Sequence, residues 1–264
     1  MRRINKEFMA TYKKRGYKPK KEKFVEEEIN VENSTTAEVF DKLDQTASKT
    51  EEFVAANQKY IFIFIGLIAI AVLGYLGYNK FIMEPKAEEA SSEMFHARKY
   101  FDEAVAATEK DSLFNLALNG AEGKYGMLDI ANKFSGTPAG NQANYYAGMA
   151  YLNMKDYQKA VEFLGNFSSD DEVLGPIAKG GIGDAFVQLN QETDALGYYE
   201  EAAKMKSNEY TTPMYLFKAA TLALKLGDNS KALGYFTRIK EEFPNATDAA
   251  NIDVFIGQAQ AVTN

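Results

Sequence analysis

The sequence has no cysteine, no tryptophan and one histidine among its 264 residues. Without cysteine there is no thiol nucleophile, and stray thiols cannot mispair, which suits an oxidising compartment. The single histidine, His96, sits in a stretch with Met94 and Phe101 and is accompanied by no serine or carboxylate motif. It reads as a surface or packing residue rather than a general base. Asp170-Asp171-Glu172 lacks the alternate-position spacing of a calcium loop and reads as a solvated turn leading into a helix N-terminus. Gly180-Gly181-x-Gly183 has neither a preceding strand nor the Lys-Ser/Thr ending of a phosphate loop, and close helix packing explains it better. No catalytic residue, metal site or cofactor is expected, and the chain is not expected to be an enzyme.

What the chain does have is one long run without charge. Ile61 to Tyr78, IFIFIGLIAIAVLGYLGY, holds 18 uncharged residues between Lys59-Tyr60 and Asn79-Lys80. As a helix it would be about 27 Å long, enough to cross a hydrocarbon core with both lysines snorkelling outward. Tyr60, Tyr75 and Tyr78 stand near its ends, where amphipathic rings settle at headgroup level. A buried core helix rarely stays uncharged for so long. A cleaved signal peptide would not start 60 residues in, and no small-x-small site follows the run before Glu84. The run therefore reads as a single transmembrane helix, within limits of 60–83. It contains no GxxxG pair, so self-association through the span has no specific signal.

Charge sorts the rest around that span. Residues 1–25 are net +8, with ten Lys/Arg against Glu7 and Glu22, whereas residues 26–59 are net −6, with three lysines against nine acids. The part from Glu84 onward is net −10, with 16 basic against 26 acidic residues. The ten basic residues of the tip lie in a segment short enough for the positive-inside rule to count. The expected topology is single-pass, with a cytoplasmic N-terminus and an exported C-terminal domain. Residues 1–23 interleave the basic residues with Phe8, Tyr12 and Tyr17. That tip could lie on anionic membrane lipid, touch ribosomal RNA, or only set topology. Within the tail (1–59), partly disordered, Glu26–Asn33 is an acidic spacer. A helix is expected near 35–57, with Thr35 and Glu38 at capping-box spacing and Val39, Leu43, Phe53 and Val54 as a broken apolar face, and it could run on through Ala56 into the apolar run.

Beyond the span the pattern is helical and repetitive over 84–264. Pro85 follows the span, and Ala90–Thr108 is predicted as a helix with Met94, Arg98, Phe101 and Val105 on one face. Leu113–Leu118 is a second run, stopped at Asn119-Gly120. Three segments then align, over 142–168, 177–206 and 213–243. A small residue recurs as Gly148, Gly183 and Ala220, and an alanine as Ala160, Ala195 and Ala232, both at intervals of 35 and 37. Two independent markers share one period. Tyr125–Phe134 reads as the second helix of a further degenerate unit closed by Thr137-Pro138. Residues 246–262 follow Pro244 as a capping helix.

The pattern of a small residue, an aromatic three on, an alanine twelve on and a large residue four further resembles the tetratricopeptide repeat. It stands here as Gly148/Tyr151/Ala160/Leu164, Gly183/Phe186/Ala195/Tyr199 and Ala220/Ala223/Ala232/Phe236, with Pro244 closing the third copy. The family's leading tryptophan is missing throughout, and Ala223 replaces the usual aromatic, so the repeats are divergent. The fold class predicted is all-α: one N-terminal transmembrane helix followed by an α-solenoid of such repeats. In the family's register the groove positions become Tyr145, Met149 and Asn153, then Asp184 and Gln188, then Phe217, Thr221 and Lys225. Some of these could instead pack against a neighbouring helix. Tyr145 and Met149 are not the Lys and Asn that a two-carboxylate clamp needs, which disfavours capture of an acidic C-terminal tail. Met and flat aromatic rings suit loose capture of extended segments.

The order of parts resembles the YfgM-like family of bacterial inner-membrane proteins. That resemblance implies association with the SecYEG translocon, partnership with a periplasmic chaperone of the PpiD type, and help for newly exported client proteins. The other reading open to the sequence is a structural scaffold in a cell-envelope assembly or secretion complex.

Overall fold

The structure, a computed structural model, describes residues 35–261, and of the side chains before Thr50 only that of Leu43. The basic tip 1–23, the acidic spacer Glu26–Asn33 and the expected end of the capping helix at Val262 lie outside the described residues. The described residues form helices and turns without a strand, in two compact units, 1–69 and 70–264.

Helix α1 spans Thr35–Tyr78, 44 residues without a proline. The helix expected near 35–57 takes the continuation open to it and runs through Ala56 into the apolar run. Within the helical stretch Thr50–Ala106, an 18-residue window reaches a mean hydropathy of 2.4, and none of it is buried. One helix is thus long and apolar enough to cross a membrane, and the described chain does not cover it as it would cover a core helix. In the first unit, Leu43, Phe53 and Val54 are likewise exposed.

In the second unit the chain passes Pro85 without breaking. Asn79–Met83 form one π turn, closed by the N–H of Glu84 on the carbonyl of Asn79. In a regular α-helix the ring of Pro85 would press on the carbonyl of Phe81. One wide turn relieves that contact, so α2 (Glu84–Ala106) begins at Glu84 rather than Ala90. The predicted face of α2 needs correction too. Met94 and Phe101 are buried, but Arg98 and Val105 are exposed, and the buried stripe is Ala90, Met94, Ala97, Phe101 and Ala104. Small alanines let α2 lie close to its neighbours, while Phe101 packs edge-on against Phe114 and Tyr146 at 5.5 and 5.0 Å between centroids.

Helix α3 (Asp111–Asn119) ends at Gly120, as the sequence predicts. Gly120 has φ +80°, and a Cβ there would stand 2.1 Å from the carbonyl oxygen of Lys124, so glycine is required twice over. Helix α4 is Met127–Lys133. Thr137-Pro138 does not close this unit but opens the next: the Thr137 hydroxyl accepts from the N–H of Gly140, and Pro138 starts α5 (Pro138–Asn153).

Three helix pairs follow. They are α5 with α6 (Tyr157–Asn166), α7 (Leu174–Gln188) with α8 (Glu192–Met205), and α9 (Thr211–Lys225) with α10 (Asn229–Glu242). Each pair turns through a left-handed residue, Lys155 (φ +64°), Asn190 (φ +58°) and Gly227 (φ +82°). These stand 35 and 37 residues apart, so the turn keeps the same period as the packing markers. In each turn the following N–H reaches back to a carbonyl of the first helix, Asp156 to Tyr151, Gln191 to Phe186 and Asp228 to Ala223, each at 2.9 Å.

Inside the pairs the markers do what their sizes dictate. Ala160, Ala195, Ala220 and Ala232 have no exposed surface. A Cβ on Gly148 would meet Leu164 Cγ at 2.5 Å, and one on Gly183 would meet Tyr199 Cε1 at 2.6 Å. Tyr151 stacks on Phe163 and Phe186 on Tyr198, at 5.5 and 5.3 Å. Gly180, Gly181 and Gly183 are all buried in α7, and Gly180 accommodates the ring of Tyr215 from the next pair. The capping segment after Pro244 comes in two pieces, a 3-10 turn (Thr247–Ala249) and α11 (Ile252–Ala261). Asn251 at φ +62° separates them and turns Phe255 onto Phe217 and Phe236.

Gly180→Ala is expected to destabilise the protein by about 1–3 kcal/mol in urea titration, because its methyl would enter the Tyr215 ring. Gly197→Ala, in α8 where nothing lies within 4 Å, should raise stability by up to about 1 kcal/mol.

Candidate protein-binding face

The first helices of the pairs, α5, α7 and α9, are neighbours, and they carry all eight predicted groove residues. Their side chains divide into three groups. Asn153, Gln188, Thr221 and Lys225 are exposed. Tyr145, Met149 and Phe217 are half-buried, each with an aromatic or apolar contact inside the fold. Tyr145 packs near Leu164, Ala178 and Ile182, with its ring 5.2 Å from that of Phe167, and burial pushes its hydroxyl pKa upward. Phe217 lies between Phe236 and Phe255, at 5.7 and 4.9 Å. These residues owe part of their apolar character to packing.

Asp184 forms the third group, because it ties three helices together. Its carboxylate accepts from the Tyr199 hydroxyl at 2.6 Å and from Lys218 Nζ at 2.7 and 2.9 Å. Burial first, and then this hydrogen bond, raise the pKa of the Tyr199 hydroxyl well above the usual phenol range. Lys225 is likewise paired, with Glu192 of α8. The charges on this face are therefore matched within the fold.

On the opposite side of the pairs, α8 and α10 are linked by Glu200, which accepts from the Tyr235 hydroxyl at 2.7 Å and lies 3.2 Å from Lys231 Nζ. Burial alone would raise the Glu200 carboxyl pKa, but these two donors outweigh it and hold it low. The α7–α8 and α9–α10 pairs are thus pinned on both sides.

Phe217, Thr221 and Lys225, one turn apart along α9, meet Val187, Lys218 and Leu222 around an open, largely apolar hollow of about 350 Å³. Tyr145, Met149 and Asn153 do not line it. Val187 and Lys218 are additions that the groove register does not supply. The signal for Lys218 was present, since a basic residue 34 positions after Asp184 falls about one turn off register in the next copy. His96 is half-buried with Phe95 edge-on at 5.6 Å. Asp171 accepts the N–H groups of Leu174 and Val173, which hold its carboxyl below the ordinary carboxylate value, so this acidic turn is a helix start. Among the described residues no group of three His, Asp or Glu side chains could hold a metal.

The tetratricopeptide repeat family model matches residues 142–170 and 215–246. Those stretches hold the α5–α6 and α9–α10 pairs. The α7–α8 pair lies between them with the same turn and the same small-against-large contact. The described residues thus form an α-solenoid of helix pairs, two of which match the tetratricopeptide repeat, preceded by one long apolar helix, and such repeats suggest a protein-interaction module. No curated protein matches the chain.

Phe217→Ala is expected to lower unfolding stability by about 3 kcal/mol, as a core truncation does. Gln188→Ala and Thr221→Ala should stay within about 0.5 kcal/mol of the parent. A double-mutant cycle on Asp184→Asn and Lys218→Met should give a coupling below about 1 kcal/mol that shrinks with salt, since both side chains are more than one-third exposed.

Proposed function

We propose that the chain is a non-catalytic, membrane-anchored protein-binding module with its N-terminus in the cytoplasm and its repeats in the periplasm of a bacterial inner membrane. The observation that carries this reading is order along the chain: a charge-free helical run long enough to span a bilayer, then helix pairs whose first helices are neighbours. Segments 1–59, 60–83 and 84–264 then serve as tail, span and binding domain.

Within that reading the protein acts as an ancillary subunit of the SecYEG translocon. The span docks laterally on the channel, and the face of α5, α7 and α9 takes an emerging exported chain or a PpiD-type periplasmic chaperone. The apolar hollow beside Phe217, with its charges matched internally, suits uncharged segments rather than acidic tails. The basic tip remains placed for anionic lipid or ribosomal RNA on the cytoplasmic side. A second reading, an envelope scaffold, is favoured by the Asp184–Lys218 and Lys225–Glu192 ties, which fix the shape of the face for one tight partner.

A mild-detergent pull-down of the tagged full-length protein, set beside a version with Ile61–Tyr78 replaced by an unrelated span, separates the two. SecY and a periplasmic chaperone are expected only with the native span. A single envelope protein retained by both versions, with SecY absent, would sink the translocon reading in favour of the scaffold.

A further inference from the structure

Along one edge of the repeats, the loops entering the first helix of each pair are joined in series. Lys86 Nζ, early in α2, donates to the carbonyl of Ser135 before α5 at 3.0 Å. Asn141, in the first turn of α5, exchanges two hydrogen bonds with the backbone of Ser168 before α7, at 2.7 and 3.1 Å. Asn208, before α9, donates to the carbonyl of Glu172 at 2.8 Å. This edge starts beside the end of the apolar helix, where Leu76, Lys80 and Met83 share an open hollow of about 510 Å³ with Thr137 and Pro138.

The last two loops of the edge expose apolar side chains. Of the eight large apolar side chains exposed between Glu84 and Ala261, four are here: Val173, Leu174, Met205 and Tyr210, the last 63% exposed. They are held rather than loose. Met205 Cε lies 2.9 Å from where a Cβ of Gly175 would be. Asp171 Oδ1 accepts the N–H groups of Val173 and Leu174, both at 2.8 Å, and Asn208 Oδ1 accepts those of Tyr210 and Thr211 at 2.9 and 2.7 Å. Around them, Asp170, Glu172 and Glu209 form no salt bridge among the described residues, with Lys206 the one basic residue in these two loops. By contrast Asp184, Glu192, Glu200 and Glu242 are each paired.

We infer that this edge is a docking platform for a protein surface that presents apolar side chains flanked by lysine or arginine close to the membrane. The membrane placement rests on reading Ile61–Tyr78 as the span. Charge decides the class of occupant. Anionic lipid headgroups are repelled by Asp170, Glu172 and Glu209, whereas a basic protein surface is attracted and desolvates Val173, Leu174 and Tyr210.

Because the chain lacks tryptophan, Tyr210→Trp places a single reporter on the platform. The full-length variant, held in phosphatidylcholine nanodiscs, is titrated with a synthetic peptide of alternating leucine and lysine. A saturable blue shift is expected, weakened by salt and by about tenfold on adding Glu172→Lys with Glu209→Lys. The same charge change made as Glu162→Lys with Asp194→Lys should leave the affinity within about twofold, which excludes a response to net charge alone. A shift with phosphatidylglycerol discs and none with the peptide would overturn the proposal in favour of lipid. No shift with either, or equal loss from both pairs of substitutions, would overturn it outright. Flotation of the same protein with membranes is read separately. Failure to float overturns the membrane placement and the span reading, whereas floating without a peptide response removes only the platform.

Discussion

The close approach of paired helices at one small residue is the constraint on which the rest of the repeat domain depends. Gly148 faces Leu164 and Gly183 faces Tyr199 at distances that admit no Cβ, and Ala220 and Phe236 lie buried in one cluster. With the contact point set, the helix lengths and the turn follow. The chain must reverse a fixed number of residues later, and it does so at Lys155, Asn190 and Gly227 in the same register. Once reversed, the second helix presents its large residue back to the small one. Each pair then buries one face and leaves the other for its neighbour, as a stacked array requires.

Stacking also explains why polar links run from one repeat to the next. Apolar contacts, which need no direction, hold most of a pair together, with polar bonds such as Asp184–Tyr199 added inside it. The relative position of two pairs must be set by something directional. Asp184 bonded to Lys218 and Tyr199 does this on one side, and Glu200 bonded to Tyr235 and Lys231 does it on the other. Each link is only partly buried, so its energy is modest, but its geometry fixes how far one repeat rotates on the next. The face shared by α7 and α9 inherits its shape from these ties.

The sequence shows the long apolar helix and the repeat plainly, because both are signals of composition at fixed intervals: 18 uncharged residues, and small residues 35 and 37 apart. It is less informative wherever a distant residue decides. Pro85 carries a local rule that a helix stops, and the π turn at Asn79–Met83 satisfies that rule without stopping. Arg98 and Val105 fit a helical face by spacing, but the face that is buried was chosen by the alanines that let α3 and α5 come near. Phe217 falls at a groove position in the repeat register, yet Phe255 of the capping helix, 38 residues on, packs against its ring. The break at Asn251 that brings Phe255 there depends on one left-handed residue which no periodicity announces.

The face of α5, α7 and α9 and the loop edge differ in a way that follows from how their charges are used. On the face of α5, α7 and α9, Asp184 and Lys225 are matched by Lys218 and Glu192, and what is left open beside Phe217 is apolar. Binding there gains from burial, which salt does not screen. On the loop edge, Asp170, Glu172 and Glu209 stand without salt-bridge partners among the described residues, around Val173, Leu174 and Tyr210. Association there begins with long-range attraction and so weakens as ionic strength rises. A segment on the face would therefore be held mainly by apolar contact, whereas a basic neighbour on the edge would be steered by charge and released more readily as salt rises.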